Sequence, residues 1–221
     1  PAWDQAAPRA GLVLSGGGAR GAYEAGVLYY LFVSAPEALR ERVRFQILSG
    51  TSIGALHATA LGAGLHDPKS YIERIVGTWK SLSVDQVLSL QIKDLMSLSR
   101  WLFGKSDQQS IFPAEPLEAL LGDMVDWDRL HQNLNDEVFE AITVSCTQVA
   151  TGKTVVFYET RDGRERPFSR DPHVYPVCTR LELKHAQASA AIPFVFPPVS
   201  IDGVSYVDGG IRQNTPLSPA L

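Results

Sequence analysis

Cysteine is nearly absent. Cys146 and Cys178 are the only two in 221 residues, too few for a framework of crosslinks and in keeping with a reduced compartment. Dense clusters of Lys and Arg are missing as well, and 20 basic against 24 acidic residues leave a formal net charge of -4. That balance excludes the electrostatic footprint of a nucleic-acid binder. No apolar run reaches the length of a membrane span. The longest soft stretch, Ile53 to Leu65, carries His57 and reads as a buried helix. Internal repeats, linkers and low-complexity tracts are lacking, and no basic-then-apolar leader follows Pro1. What is there, 45% hydrophobic and 20% charged residues, is ordinary globular composition. A single domain over residues 1–221 is expected, with its C-terminal part absent, because the chain stops abruptly at Leu221 soon after an Asp-Gly-Gly turn.

Two strand–glycine–helix units organise the first third. Ala10 to Ser15 reads as a buried strand, ended by Gly16-Gly17-Gly18, and Ala19 to Phe32 as a helix with Ala22, Ala25, Val27, Leu28 and Leu31 on its apolar faces. Phe45 to Ser49 is a second buried strand, and Ser52 to Gly64 a helix of small residues suited to close packing on a sheet. Used twice, this unit predicts an α/β fold with a largely parallel sheet. Asp67-Pro68 is an N-cap with proline at the first helical position, opening a helix to about Leu82. Residues 83–105 look helical but less regular, and Pro113 or Pro116 starts another helix through Leu120 and Leu121. Val138 to Ser145 and Thr154 to Tyr158 read as paired strands, and Arg161 to Arg170 as a charged loop. Leu181 to Ala191 reads as a helix stopped by Pro193. Val204 to Val207 is a last strand, closed by Asp208-Gly209-Gly210.

The chemistry concentrates at the glycine turns. Gly50-Thr51-Ser52-Ile53-Gly54 is a G-x-S-x-G turn, the pattern that lifts a serine hydroxyl out of a strand-to-helix corner. A free hydroxyl is a poor nucleophile and needs a base and oxyanion donors. The plainer reading is a turn with a serine N-cap. Gly16-x-Gly18-x-x-Gly21 matches the dinucleotide fingerprint literally, but the second strand ends in Leu48-Ser49-Gly50 with no carboxylate for a ribose. No Gly-Lys-Ser/Thr follows, so a Walker loop fails too. The functional reading left is an oxyanion hole made by the N–H groups of Gly17, Gly18 and Ala19. A tight turn with close helix packing explains Gly21 but not three consecutive glycines, each of which costs folding entropy. None of His57, His66, His131, His173 and His185 sits in a pattern that marks a triad base. Asp208 closes a strand ahead of two glycines, so its carboxylate can project from a turn; a plain turn is the alternative.

In order along the chain, GGGARG, GTSIG and DGG together resemble the patatin-like phospholipase family. Ala188-Ser189-Ala190-Ala191-Ile192-Pro193, Phe196-Pro197-Pro198 and Asp202-Gly203 resemble its stretch before DGG, and Arg212, Asn214, Thr215 and Pro216 its sequence after. The resemblance runs from about Leu12 to Pro219 and is weakest between Leu82 and Leu134. It implies a three-layer α/β/α sandwich on a largely parallel central sheet, continuing past this end of the chain with another strand and helix. It implies a Ser–Asp dyad with Ser52 as nucleophile and Asp208 as base, Gly50 and Gly54 flanking the nucleophile elbow, and Gly209 and Gly210 in the DGG turn. The loop Gly16, Gly17, Gly18, Ala19, Arg20 and Gly21 is then the oxyanion hole, with Arg20 helping the loop, meeting substrate phosphate or forming a structural ion pair. No cofactor and no metal are implied. Glycerophospholipids or other acyl-ester lipids are the expected substrates, at a peripheral membrane surface or in the cytoplasm. The oligomeric state stays open.

Three other readings keep the same residues. One is an esterase with a Ser–Asp–His triad, Ser52 served by His173 or His185. A second is a lipid-binding or scaffolding protein that has lost catalysis, and a third is a transacylase using the same acyl-enzyme. The segment Ile92, Leu95, Met96, Leu98 and Trp101-Leu102-Phe103 reads as a helix packed on the core or as a lid over lipid.

Overall fold

The computed structural model describes residues 10–81, 124–165, 169 and 171–220. Seven strands form one mixed sheet: β1 (Gly11–Leu14), β2 (Ile47–Thr51), β3 (Ala141–Gln148), β4 (Thr154–Thr160), β5 (Val174–Cys178), β6 (Val199–Ile201) and β7 (Val204–Asp208). β1, β2 and β3 run parallel, as do β4 and β5; β3–β4, β3–β7 and β6–β7 are antiparallel. Flanking it are α1 (Gly21–Tyr29), α2 (Glu37–Arg40), α3 (Ile53–Gly64), α4 (Pro68–Ser81), α5 (Trp127–Asn135) and α6 (Leu183–Ala190). The architecture is α/β, as the repeated strand–glycine–helix unit predicts.

The period-2 pattern of the strands sorts residues between two faces. Leu12, Leu48 and Ile142 stand side by side in register, and Leu14, Gly50 and Val144 form the next row. This face carries α3, whose residues from Gly54 to Gly64 are all buried. Its alanines and glycines keep the helix backbone close to the strands, and α1, α4, α5 and α6 pack around it. The other face of the same strands presents hydroxyls. Ser49 Oγ bonds Thr143 Oγ1 and donates to the carbonyl of Pro216, and Thr51 Oγ1 donates to the carbonyl of Gln213. Residues 213–216 are thereby laid across β2 by side chains that would be misplaced in an apolar layer.

Several elements differ from the sequence reading. The first helix begins at Gly21 and runs on through a π-helical turn, Tyr30–Ser34, because the Ala35 N–H reaches back to the Tyr30 carbonyl. β5 contains Pro176, which hides it from a strand pattern; it lies at the sheet edge, where a missing N–H is tolerated. β6 is only three residues long and joins β7 through Asp202-Gly203, both at positive φ as a tight hairpin turn requires. In α5, Asp126 caps by accepting from the Arg129 N–H, and Leu130, His131 and Leu134 are buried. The expected helices within residues 83–121, and the lid segment around Trp101, lie outside the described residues.

One buried polar chain ties three helices together. His57 in α3 is 0% exposed. Its Nε2 accepts from Trp79 Nε1 of α4 at 3.0 Å, so the ring proton sits on Nδ1 and is directed at Glu24 Oε2 of α1, 3.1 Å away. Trp79→Phe removes the donor and leaves a buried imidazole nitrogen unpartnered. Urea unfolding of this variant is expected to show a loss of about 1–3 kcal/mol, with the native sheet retained by circular dichroism.

Candidate active site

β3 decides where the site forms. β4 occupies one edge of β3 from Ala141 to Thr147. Along the other edge, β2 pairs from Ala141 to Ser145, where Thr51 is its last partner. At the next residue, Cys146, β7 takes over with Asp208. β2 is parallel and β7 antiparallel to β3, so their C-terminal ends meet head-on. Ser52 follows Thr51 and Asp208 ends β7, which brings together two residues 156 positions apart. Ser52 Oγ donates to Asp208 Oδ2 at 2.6 Å.

Ser52 is forced into an unusual backbone state. Its φ of 55° and ψ of -126° lie in a region that L-residues avoid, at a cost of order 1–3 kcal/mol. The neighbouring glycines explain how the corner closes. A Cβ on Gly54 would collide with the Leu14 carbonyl at the end of β1, and one on Gly50 with the carbonyl of Gly54. Their contribution is close approach, which any larger residue would prevent. α3 starts immediately after Ser52, so the positive end of its dipole lies at the hydroxyl.

Asp208 is held equally tightly. Its Oδ1 accepts from the Gly210 N–H at 2.6 Å and its Oδ2 from Ser52, while Thr147 Oγ1 donates to its carbonyl. Ser52 and Asp208 are each 6% exposed. Burial raises the Asp208 carboxyl above its ordinary value; the bonds from Ser52 and Gly210 oppose this without cancelling it. Gly209 lies where a Cβ would strike the Ser145 carbonyl, so the DGG turn also rests on close approach. Cys146, beneath Asp208, is a buried thiol pushed well up by burial and by the Asp208 charge, and it stays protonated.

The glycine loop arrives from β1. A Cβ on Gly16 would stand 3.2 Å from Ser52 Cβ, so the loop borders Ser52. Gly16 N–H is already bonded to the Asn214 carbonyl and Arg20 N–H to the Gly17 carbonyl, while Gly21 N–H turns back on Gly18 and Ala19. Gly17, Gly18 and Ala19 supply the N–H groups these bonds do not take up, and Gly18 sits at φ 53°, a conformation that suits glycine. Arg20 is exposed at the start of α1.

Two residues to which the sequence reading gave no role belong to this site. Asn214 clasps Gly16 twice, its Nδ2 donating to the Gly16 carbonyl at 3.0 Å and its own carbonyl accepting from Gly16 N–H at 2.9 Å. Ser189, in α6, bonds the main chain of Ser52. Both stand in the stretches that carry the family resemblance, and that was the available signal. The histidines lie elsewhere. His185 accepts the Glu182 N–H at Nδ1 in the capping box of α6, and burial holds it below its ordinary value. His173 is exposed, its N–H donating to Asp171. His131 faces Glu159, and His66 bonds the Ala63 carbonyl. Among the described residues no three His, Cys, Asp or Glu side chains gather as metal ligands would, and no helix is long and apolar enough to cross a membrane.

The sequence model of the patatin-like phospholipase family matches residues 12–221. No curated protein matches. Among solved structures, the chain resembles VipD from Legionella pneumophila, with 21% identity and a TM-score of 0.49. The likeness covers 95% of this chain and 47% of the other, so this chain spans about half the length of that structure. With the family match running over nearly all of its length, the chain belongs to the patatin-like phospholipases, a family of lipid acyl hydrolases.

Proposed function

We propose that the chain is a serine-dependent carboxylic ester hydrolase of phospholipase A or lysophospholipase type, working through a Ser52–Asp208 dyad and an acyl-enzyme. The observation that carries this reading is the 2.6 Å bond from Ser52 Oγ to a buried carboxylate. Asp208 takes the hydroxyl proton as Oγ attacks the ester carbonyl. The oxyanion is received by the N–H groups of Gly17, Gly18 and Ala19, each such donor being worth roughly 3 kcal/mol of barrier. Collapse expels the alcohol or lysophospholipid, which leaves with the proton from Asp208. Water then gives a proton to Asp208 and its oxygen to the acyl carbon, and Ser52 recovers its proton as the fatty acid departs. An ordinary carboxylate is a weak acceptor for this task; burial makes Asp208 a better one.

An apolar cavity of about 500 Å³ flanks the DGG turn, bordered by Val207 immediately before Asp208 and Ile211 just after Gly210. Phe194 and Phe196 complete its wall, and Phe194 is 67% exposed with a φ of 68°. This cavity supports a lipid substrate by offering an aliphatic chain an apolar place next to the DGG turn, on the side of β7 away from the Asp208 carboxylate, since Val207 and Asp208 face opposite ways. The triad reading gains no support from the histidines, since Oδ2 of Asp208 meets Ser52 Oγ directly.

Ser52→Ala and Asp208→Asn are each expected to lose on the order of 10³-fold or more in kcat against a soluble ester, and Ser52→Ala alone to abolish fluorophosphonate labelling. A phospholipid and neutral-lipid panel with these controls tests the substrate class. Labelling of Ser52→Ala equal to that of the native protein would reject the nucleophile assignment.

Asp208 must be ionised to act, so kcat/KM is expected to fall on the acid side with a midpoint above that of an ordinary aspartate. The stability sign is the reverse. Because folding raises this carboxyl, its ionised form costs folding free energy above the raised value, and that cost disappears below the ordinary carboxylate range. Asp208→Asn is therefore expected to unfold at a higher temperature than the native protein at neutral pH, with the gap closing in acid. Phe194→Ser is expected to raise KM about tenfold for long-chain esters, the worth of about two buried methylenes, while short-chain ester turnover is unchanged.

A further inference from the structure

We propose that Ser189 is the positioning residue of the dyad, and that the last turn of α6 holds both of its members from behind. The inference rests on the Ser52–Asp208 reading given above. Ser189 Oγ accepts from the Ser52 N–H at 2.9 Å and donates to the Ser145 carbonyl at 2.7 Å. Two residues on, the Ala191 carbonyl accepts from the Asp208 N–H at 2.9 Å. The main chains of nucleophile and base are thus fixed to one short piece of helix end, which is itself pinned to β3.

The direction of this chain of bonds is set. An amide can only donate and a carbonyl can only accept, so a hydroxyl between them must accept from Ser52 and donate to Ser145. Ser189 is 0% exposed, which leaves no solvent to replace either bond. Ser52 needs such a hold because its φ of 55° is a strained state that persists only when its surroundings over-determine it. With the hydroxyl removed, the Ser52 N–H becomes a buried donor without a partner, and the cheapest relief is rotation of the elbow. That rotation moves Oγ away from Asp208. A misplacement of about 1 Å costs on the order of 100-fold in rate.

Ser189→Ala takes away one oxygen and keeps the shape. It is expected to lower kcat by about 10- to 100-fold with KM for a soluble short-chain ester unchanged, and to slow fluorophosphonate labelling in step. Its acid limb is expected to move to higher pH, since a loosened Ser52 bond no longer pulls the Asp208 carboxyl down. A purely structural role would lower the unfolding temperature and leave the kcat and the pH profile of the folded protein alone. Should the alanine variant not fold, Ser189→Cys fills the same space with a weak acceptor, and the same outcomes apply. A folded variant of either kind with native kcat and native acid limb overturns the proposal. Ser52→Ala is assayed alongside. If it retains activity, the dyad reading has failed; if it is dead while Ser189→Ala is fully active, only the role of Ser189 has failed.

Discussion

The structure depends on one shared strand edge. Two strands of opposite direction divide a single side of β3 between them, β2 up to Ser145 and β7 from Cys146. Backbone hydrogen bonding fixes where each stops, and a one-residue slip would turn a side chain to the wrong face. Contact between a hydroxyl and a carboxylate from distant parts of the chain follows from sheet register before any side chain is considered. Leu48 and Gly50 lie on one face of β2, and Cys146 and Asp208 on the same face of their pairing. Asp208 therefore lies on the side that carries α3 and α6, while the hydroxyls of Ser49, Thr51 and Thr143 serve the opposite face.

That register creates crowding, which the glycines relieve. Gly50, Gly54, Gly16 and Gly209 all lie where a Cβ would meet main chain or the Ser52 side chain. The crowding keeps water to a minimum around Ser52 and Asp208, raises the carboxyl and stores strain in the elbow. Preorganised sites trade folding free energy in this way for geometry. The buried Glu24–His57–Trp79 chain extends the same rigidity to the helices that follow the glycine loop and the elbow.

Much of this was legible in the sequence, for physical reasons. Short apolar runs followed by glycine announce buried strands turning into helices, so β1, β2 and α3 could be read directly. Ser52 and Asp208 stood out because a turn must present them. β5 was hidden by Pro176, which violates strand chemistry except at an edge, and no sequence signal says which strand is the edge. β6 was too short to show alternation, although Asp202-Gly203 is a hairpin signal. α5 carried a readable pattern, Asp126 followed by apolar residues at helical spacing, inside a region with little family likeness. Ser189 and Asn214 could not be given roles from sequence, because a hydroxyl or an amide acquires its meaning from partners 137 and 198 positions away.

The clasp of Asn214 on Gly16 bears on how the protein comes into being. A ribosome delivers the glycine loop and the elbow early and their fastener some two hundred residues later. Until Asn214 emerges and folds back, the start of the glycine loop lacks both bonds that hold Gly16, and Asp208 has emerged only shortly before it. A partly synthesised chain thus holds Ser52 without its carboxylate partner, and the two meet only once β7 has paired with β3.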